Sequence, residues 1–248
     1  MSKLFLLLTL ALLAAPLAGA KEPFKSEYDS LSEGQVAIKK NRVYRIHVED
    51  LRPTQFGVGR AEIRSRLEEI NAMDKDEFRK YLKEKVGSVV IGPGGEYYLV
   101  DGHHLASALT MDGRKEMLVR VLDDWSRLTP ENFFKRMIKE KRLWPFDEHG
   151  NGPKDPSTLP RTIRGLHDDP FRSLAYRVRK AGGFEDLTVP FQEFYWANYF
   201  RRFISVEELH KSPKKAIEKA VELAGDLEAR KLPGFIPNKK CEKLLKGK

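Results

Sequence analysis

Between Tyr97 and Leu109 the chain changes period without a linker. Tyr97-Tyr98-Leu99-Val100 reads as a strand, Asp101-Gly102 turns it, and His103, His104, Leu105, Ala108 and Leu109 follow at helical spacing. A strand that runs through glycine straight into a helix leaves the first backbone N–H groups of that helix without partners, at the positive end of its dipole. That is a ready place for an anion, phosphate above all. From the residues alone, Asp101 can equally cap the helix with its own carboxylate while one histidine faces the core. Adjacent helical side chains point about 100° apart, so His103 and His104 cannot readily close on one ion as an i, i+4 pair would. Asp101 suits Mg²⁺ better, sharing the ion with the phosphates of a nucleotide.

The surroundings of this turn are legible in outline. Val43 to Val48 alternates apolar and polar residues as a half-buried strand does, and Leu51-Arg52-Pro53-Thr54 breaks it. Helical spacing starts at Val58 (Ile63, Leu67, Ile70) and again from Asp74 to Lys85 (Phe78, Tyr81, Leu82). Val89-Val90-Ile91 and Tyr97 to Val100 flank Gly92-Pro93-Gly94-Gly95, whose glycines supply the positive φ of a tight hairpin turn. Met117 to Leu122 adds another strand, which makes residues 43–125 a mostly antiparallel α/β unit. The loop from Leu51 to Gly59 is shaped by one proline and two glycines. Its reaching groups are Gln55, Arg60 and Glu62, with Arg60 fit to fork a phosphate and Glu62 to act as a base or to hold a metal through water. Each is also an ordinary surface residue when taken singly.

Beyond residue 125 the chain reads as helix and loop. Helices are expected over 130–142, from Asp169-Pro170 to Gly182-Gly183, and from Ser212-Pro213 onward, with breakers crowding 149–156. Residues 190–203 are dense in aromatics, and that spacing suits core packing rather than base stacking. Asp123-Asp124 reads as a cap or turn before it reads as a metal site, Trp144-Pro145-Phe146-Asp147 as a candidate lid, and His167-Asp168-Asp169 as a helix cap. The fold class is therefore α+β, a mixed α/β core followed by a mainly helical C-terminal half.

Residues 1–20 hold Lys3, a stretch from Leu4 to Ala15 that is apolar but for Thr9, and Ala18-Gly19-Ala20, the three parts of a secretory signal peptide cleaved after Ala20. A lead-in over 21–42 expected to pack loosely, the core over 43–125, the helical region over 126–238 and a basic tail over 239–248 complete the division. A secreted or periplasmic protein with no membrane attachment after cleavage is expected. The chain has 248 residues, a formal net charge of +9 and one cysteine, Cys241. A single cysteine excludes an internal disulfide framework and a zinc ribbon. The charge permits anionic ligands without implying a protein that coats nucleic acid. There is no HExxH, Walker loop, dinucleotide fingerprint or nucleophile elbow.

Arg52-Pro-Thr-Gln-Phe56, Val89-Val-Ile-Gly-Pro-Gly-Gly95, Leu99-Val-Asp-Gly-His-His-Leu-Ala106 and Asp168-Asp-Pro-Phe-Arg-Ser-Leu-Ala175 together resemble the ParB/sulfiredoxin superfamily, specifically its ParB-like nuclease group, from about Val43 to Phe203. The resemblance implies a ParB/sulfiredoxin-like mixed α/β core whose Gly-to-helix turn cradles the phosphates of ATP, ADP or CTP. On this chain the phosphate-binding positions would be Asp101, Gly102, His103 and His104, with Gln55 and Arg60 from the first loop. The superfamily includes a sulfinic-acid reductase, free-serine kinases and partition-complex clamps. His103 stands where the reductase needs cysteine, which argues against that chemistry. Leu105-Ala106-Ser107-Ala108 replaces the Arg-rich box of the clamps. Phosphoryl transfer or nucleotide hydrolysis is then expected, with His103 or His104 neutralising developing charge, Asp101 positioning Mg²⁺ and Glu62 as base. The partner would be a nucleotide or phosphorylated small molecule. The alternatives are a metal-dependent nuclease acting on nucleic acid, or a secreted binding module without catalysis.

Overall fold

The computed structural model describes residues 24, 27–33, 36–239 and 241; the expected leader and most of the basic tail lie outside these. The core is built from β1 (Val43–His47), β2 (Leu51–Pro53), β3 (Gly57–Val58), α1 (Arg60–Asn71), α2 (Lys75–Glu84), β4 (Gly87–Ile91), β5 (Tyr97–Asp101), α3 (His103–Met111) and β6 (Glu116–Asp124). The helical half contributes α4 (Pro130–Lys139), a short strand β7 (His167–Asp168), α5 (Pro170–Lys180), α6 (Gln192–Phe200), α7 (Val206–Lys211) and α8 (Pro213–Ala224). The class is the α+β architecture expected from the sequence.

Five strands form one sheet in the order β1-β6-β4-β5-β2. The expected hairpin is present, with β4 antiparallel to β5 and Ile91 opposite Tyr97. The sheet is mixed rather than mostly antiparallel, because β6 runs parallel to β4 and β2 parallel to β5. Both parallel pairings join strands separated in sequence by a helix or a crossover, which local periodicity does not register.

Strand alternation then sorts the side chains. Val89, Ile91 and Leu99 pack with the apolar stripes of α1, α2 and α3, whereas Val90, Tyr98 and Val100 face Phe133 and Met137 of α4. A third apolar cluster lies within the helical half, where Trp196 stacks on Phe184 with ring centroids 4.4 Å apart. The aromatics of 190–203 are thus core, as their spacing suggests. The described part of the lead-in does not pack loosely. Phe24 is fully buried, and Leu31 N–H donates to the Arg45 carbonyl at 2.9 Å, docking residues 27–33 along β1.

Helix starts follow local chemistry. Asp74 and Ser205 form capping boxes at α2 and α7, Thr129 caps α4, and the Asp169 carboxylate accepts from the N–H groups of Phe171 and Arg172 at α5. α1 is different: its N-cap is Gly59, which has no side chain to offer. Its capping groups arrive from elsewhere in the fold and define the site.

Candidate functional site

The first amides of α1 are satisfied by three distant residues. Gly59 N–H donates to His104 Nε2 at 3.2 Å, Arg60 N–H to Asp168 Oδ1 at 3.0 Å, and Ala61 N–H to Ser173 Oγ at 3.2 Å. A Cβ at position 59 would lie 2.9 Å from Ser173 Oγ, so the close approach of α5 requires glycine there. Two strand residues from the helical half complete the arrangement, since β3 pairs in parallel with β7, Val58 opposite Asp168. The sequence-adjacent pair Asp168-Asp169 therefore divides its work. Asp168 caps α1 while Asp169 caps its own helix α5 and pairs with Arg201 at 2.7 Å.

His103 and His104 are both buried, at 5% and 9% exposure. His103 Nε2 accepts the Thr54 N–H at 3.2 Å, and Thr54 Oγ1 donates to the Leu99 carbonyl at 2.7 Å. Because a backbone N–H can only donate, both imidazoles are fixed as tautomers carrying their proton on Nδ1. Burial, reinforced by the nearby Arg172 charge, pushes His103 down to about 3 and His104 well below the usual histidine range. At neutral pH both rings are uncharged, and together they pin the loop of residues 54–59 to the start of α3.

Gly102 turns the chain at φ 103°, where a Cβ would come within 3.3 Å of the Gly87 Cα, so both the conformation and the space favour glycine. The Asp101 carboxylate is exposed and its Oδ1 accepts the Gly102 N–H at 2.8 Å. The amides of His103, His104 and Leu105 have no acceptor among the described residues. The turn thus combines the two readings of the sequence, an aspartate bonded to one amide and three amides left over.

Behind the turn lies a cluster of buried charge. Glu62 Oε2 is 3.4 Å from His104 Nε2 and 3.4 Å from Arg172 Nη1, and Glu62 Oε1 is 3.2 Å from Arg66 Nη2. Arg172 Nη2 reaches Glu193 Oε2 at 3.5 Å, and Glu193 Oε1 pairs with Arg179 Nη2 at 3.1 Å. The chain of charges runs from α1 across α5 to α6. Yet Glu62 Oε2 and the Nε and Nη1 of Arg172 lack hydrogen-bond partners although they are buried, because 3.4 Å with poor direction is an ion pair without a bond. His104 Nε2 offers Glu62 a lone pair, not a proton. Ser107 Oγ, one turn along α3 from the histidines, is also buried without a partner.

The remaining expected site residues are placed as follows. Gln55 is buried and its amide donates to the Gly57 carbonyl at 2.7 Å, stapling its own loop. The Arg60 side chain is exposed. Asp123 pairs with Lys40 at 2.6 Å and Arg142 at 2.8 Å, while Asp124 accepts from Ser126 N–H, so this doublet is engaged in turn and ion-pair structure. Trp144 is buried among Phe146, Phe191, Phe194 and Tyr195, and its backbone N–H donates to the Thr54 carbonyl, which makes it a buttress of the loop rather than a lid. Glu33, His47 and Glu116 bring potential ligand atoms within 4.8 Å of one another, but Arg45 bonds to both glutamates and already supplies the positive charge. Asp101 is not part of that group.

The sequence reading brought together His103, His104 and Glu62, took Asp168 with Asp169 as the cap of their own helix, where Asp168 in fact caps α1, and assigned no role to Arg172 or Ser173. Their signal was present in the Asp168 to Ala175 stretch. Only the tertiary packing of α5 on α1 shows what they touch.

A family model described as "Putative ParB-like nuclease" matches residues 44–202. The crystal structure of protein Atu1540 from Agrobacterium tumefaciens is similar over 80% of this chain and 100% of its own, with 35% identity and a TM-score of 0.73. A conserved hypothetical protein from Pyrococcus furiosus shares 22% identity over 36% of this chain and 35% of its own, with a TM-score of 0.27, too partial a likeness to bear on the fold. A search of curated proteins found no match.

Proposed function

The chain belongs to the ParB-like nuclease family, and from that premise we propose that it binds a phosphate ester at the α3 turn and hydrolyses it. The observation that carries this reading is the buried contact of Glu62 with Arg172. Each presents polar atoms without hydrogen-bond partners, and buried groups in that state call for water or a ligand. A phosphate oxygen would satisfy Arg172 Nε and Nη1, for which a guanidinium is the side chain best shaped, and the free amides of α3 offer donors to further phosphate oxygens. Glu62 would take a proton from a water. As the water oxygen bonds to phosphorus, the ester P–O bond breaks and its oxygen leaves with a proton from solvent. Asp101, exposed at the mouth of the turn, is the residue to hold Mg²⁺, which would neutralise charge on the phosphate oxygens. In this scheme His103 and His104 are positioning residues, because their Nε2 atoms are occupied by the loop.

Nucleotides ATP, ADP and CTP are the first substrates to test, with nucleic acid beside them as the family name suggests. Secretion follows from the leader-like sequence of residues 1–20. Among the described residues no helix is long and apolar enough to cross a membrane.

A non-catalytic binding module is the second reading, favoured by the burial of Glu62 at 5% exposure and by the fact that Arg172, from the helical half, packs into the cluster. Phosphate release from the three nucleotides and cutting of single- and double-stranded DNA, with and without Mg²⁺, separates the two. Turnover that disappears in Glu62→Gln while the fold persists supports hydrolysis. Absence of turnover on every substrate leaves the binding module.

A further inference from the structure

We propose that a second cleft, between α1, α5, α7 and α8, binds a nucleotide unit through its phosphate and its apolar body. The cleft measures about 250 Å³, the scale of one small organic group. Leu174, Leu209 and Ile217 give it an aliphatic lining, and Arg60, Arg64 and Arg177 stand along it. All three arginines are exposed, and none forms an ion pair among the described residues. The one carboxylate lining the cleft, Asp168, has an oxygen engaged by the Arg60 N–H.

The distribution of charge is unfavourable for the protein by itself. Arg60 and Arg64 are like charges one helical turn apart, an arrangement that weakens a helix. Arg60, Pro170 and Pro213, each the first residue of its helix, all line the cleft, so the positive ends of α1, α5 and α8 converge there. Lys214 and Lys215 occupy the exposed first turn of α8, which holds no acidic residue and where the helix dipole disfavours cations. A polyanion would relieve these repulsions, and the aliphatic lining gives a sugar or base a surface that inorganic phosphate cannot use. A free nucleotide and one unit of a single strand share this chemistry.

The cleft is distinct from the buried centre, since it uses the exposed face of α1 while Glu62 is buried, although Asp168 and Ser173 of its lining also cap α1. Equilibrium binding of ADP, of a ten-residue single-stranded DNA and of pyrophosphate to the full chain tests it, at low and moderate salt. Wild type, Glu62→Gln and the double variant Arg64→Glu/Arg177→Glu are compared, with thermal melting of each as the check on folding. The expected result is binding of ADP or the oligonucleotide at least tenfold tighter than pyrophosphate, weakened at least tenfold in the double variant, and unchanged in Glu62→Gln. Tighter binding of the oligonucleotide with steep loss in salt identifies a strand as the source, and stronger binding of ADP identifies a free nucleotide. Unchanged affinity in a folded double variant overturns the proposal. So does pyrophosphate binding as tightly as ADP and the oligonucleotide, or no binding of either. Hydrolysis retained in the folded double variant while its binding of ADP or the oligonucleotide is weakened would separate this cleft from the reaction centre.

Discussion

Gly59 donates its backbone N–H to His104 Nε2 across 3.2 Å, joining the start of one helix to the start of another. The bond closes the amino end of α1, which its own N-cap residue cannot do, and fixes His104 as a neutral ring with its lone pair toward the loop. His104→Ala should leave the Gly59 N–H buried and unpaired, costing about 1–3 kcal/mol by that loss alone. Urea unfolding measures this; a midpoint equal to wild type would show that the bond does not hold the loop.

The two buried histidines set a pH dependence. Both stay neutral in the fold, with His103 down at about 3, while in the unfolded chain they take up protons below about 6.5. Stability is therefore unaffected by them above that value and falls as the medium is acidified below about 6.5, His103 contributing up to about 1.4 kcal/mol per pH unit until about 3 and His104 acting in the same direction. His103→Gln should flatten this limb of the stability curve. An identical acid slope in the variant would assign the loss to other groups.

Glu62→Gln keeps the shape of the side chain and removes its capacity to take a proton. Hydrolysis should drop by about a hundred- to ten-thousand-fold, the range for removal of a general base. A glutamine variant that turns over at the wild-type rate would exclude Glu62 as the base and leave it as a structural partner of Arg66 and Arg172.

Asp169 is 1% exposed and serves the Phe171 and Arg172 amides together with Arg201. Burial raises its pKa against the opposing pull of Arg201, so the carboxylate is held in place by its partners. Removing one partner of a buried pair costs about 3–5 kcal/mol, and Asp169→Ala should approach that loss. Asp168→Ala removes only a cap of α1 and should cost about 0.5–2 kcal/mol. Equal melting temperatures for the two variants would contradict this division of labour between neighbours.

Gly59→Ala places a Cβ 2.9 Å from Ser173 Oγ and 3.1 Å from the Ser173 backbone nitrogen. Because backbone as well as a hydroxyl must yield, a destabilisation of about 1–3 kcal/mol is expected. Crystals of the variant should show α5 displaced from α1, and an unmoved α5 would refute the tight contact.

Elements whose causes are local were legible in the residues. The Gly92 to Gly95 turn, the Asp169-Pro170 start of α5 and the passage from β5 through Gly102 into α3 each depend on neighbours within a few positions. Pairings between remote segments were not. The parallel ladders of β6 with β4 and β2 with β5 leave no trace in the period of either strand, and so the sheet was expected to be mostly antiparallel. The lead-in looked loose because its few apolar residues have no period, yet Phe24 finds a place in the core.

The site divides in the same way. Sequence by itself determined a glycine-led helix start with two histidines in its first turn and a glutamate on the helix that follows the loop, since torsional preference and apolar spacing act over a turn or two. Tertiary structure alone decided that the histidines are buried acceptors and that Arg172 faces Glu62 at 3.4 Å. A charge 110 positions away along the chain acts on Glu62 only once α5 has packed on α1, because electrostatic contact depends on separation in space and not in sequence.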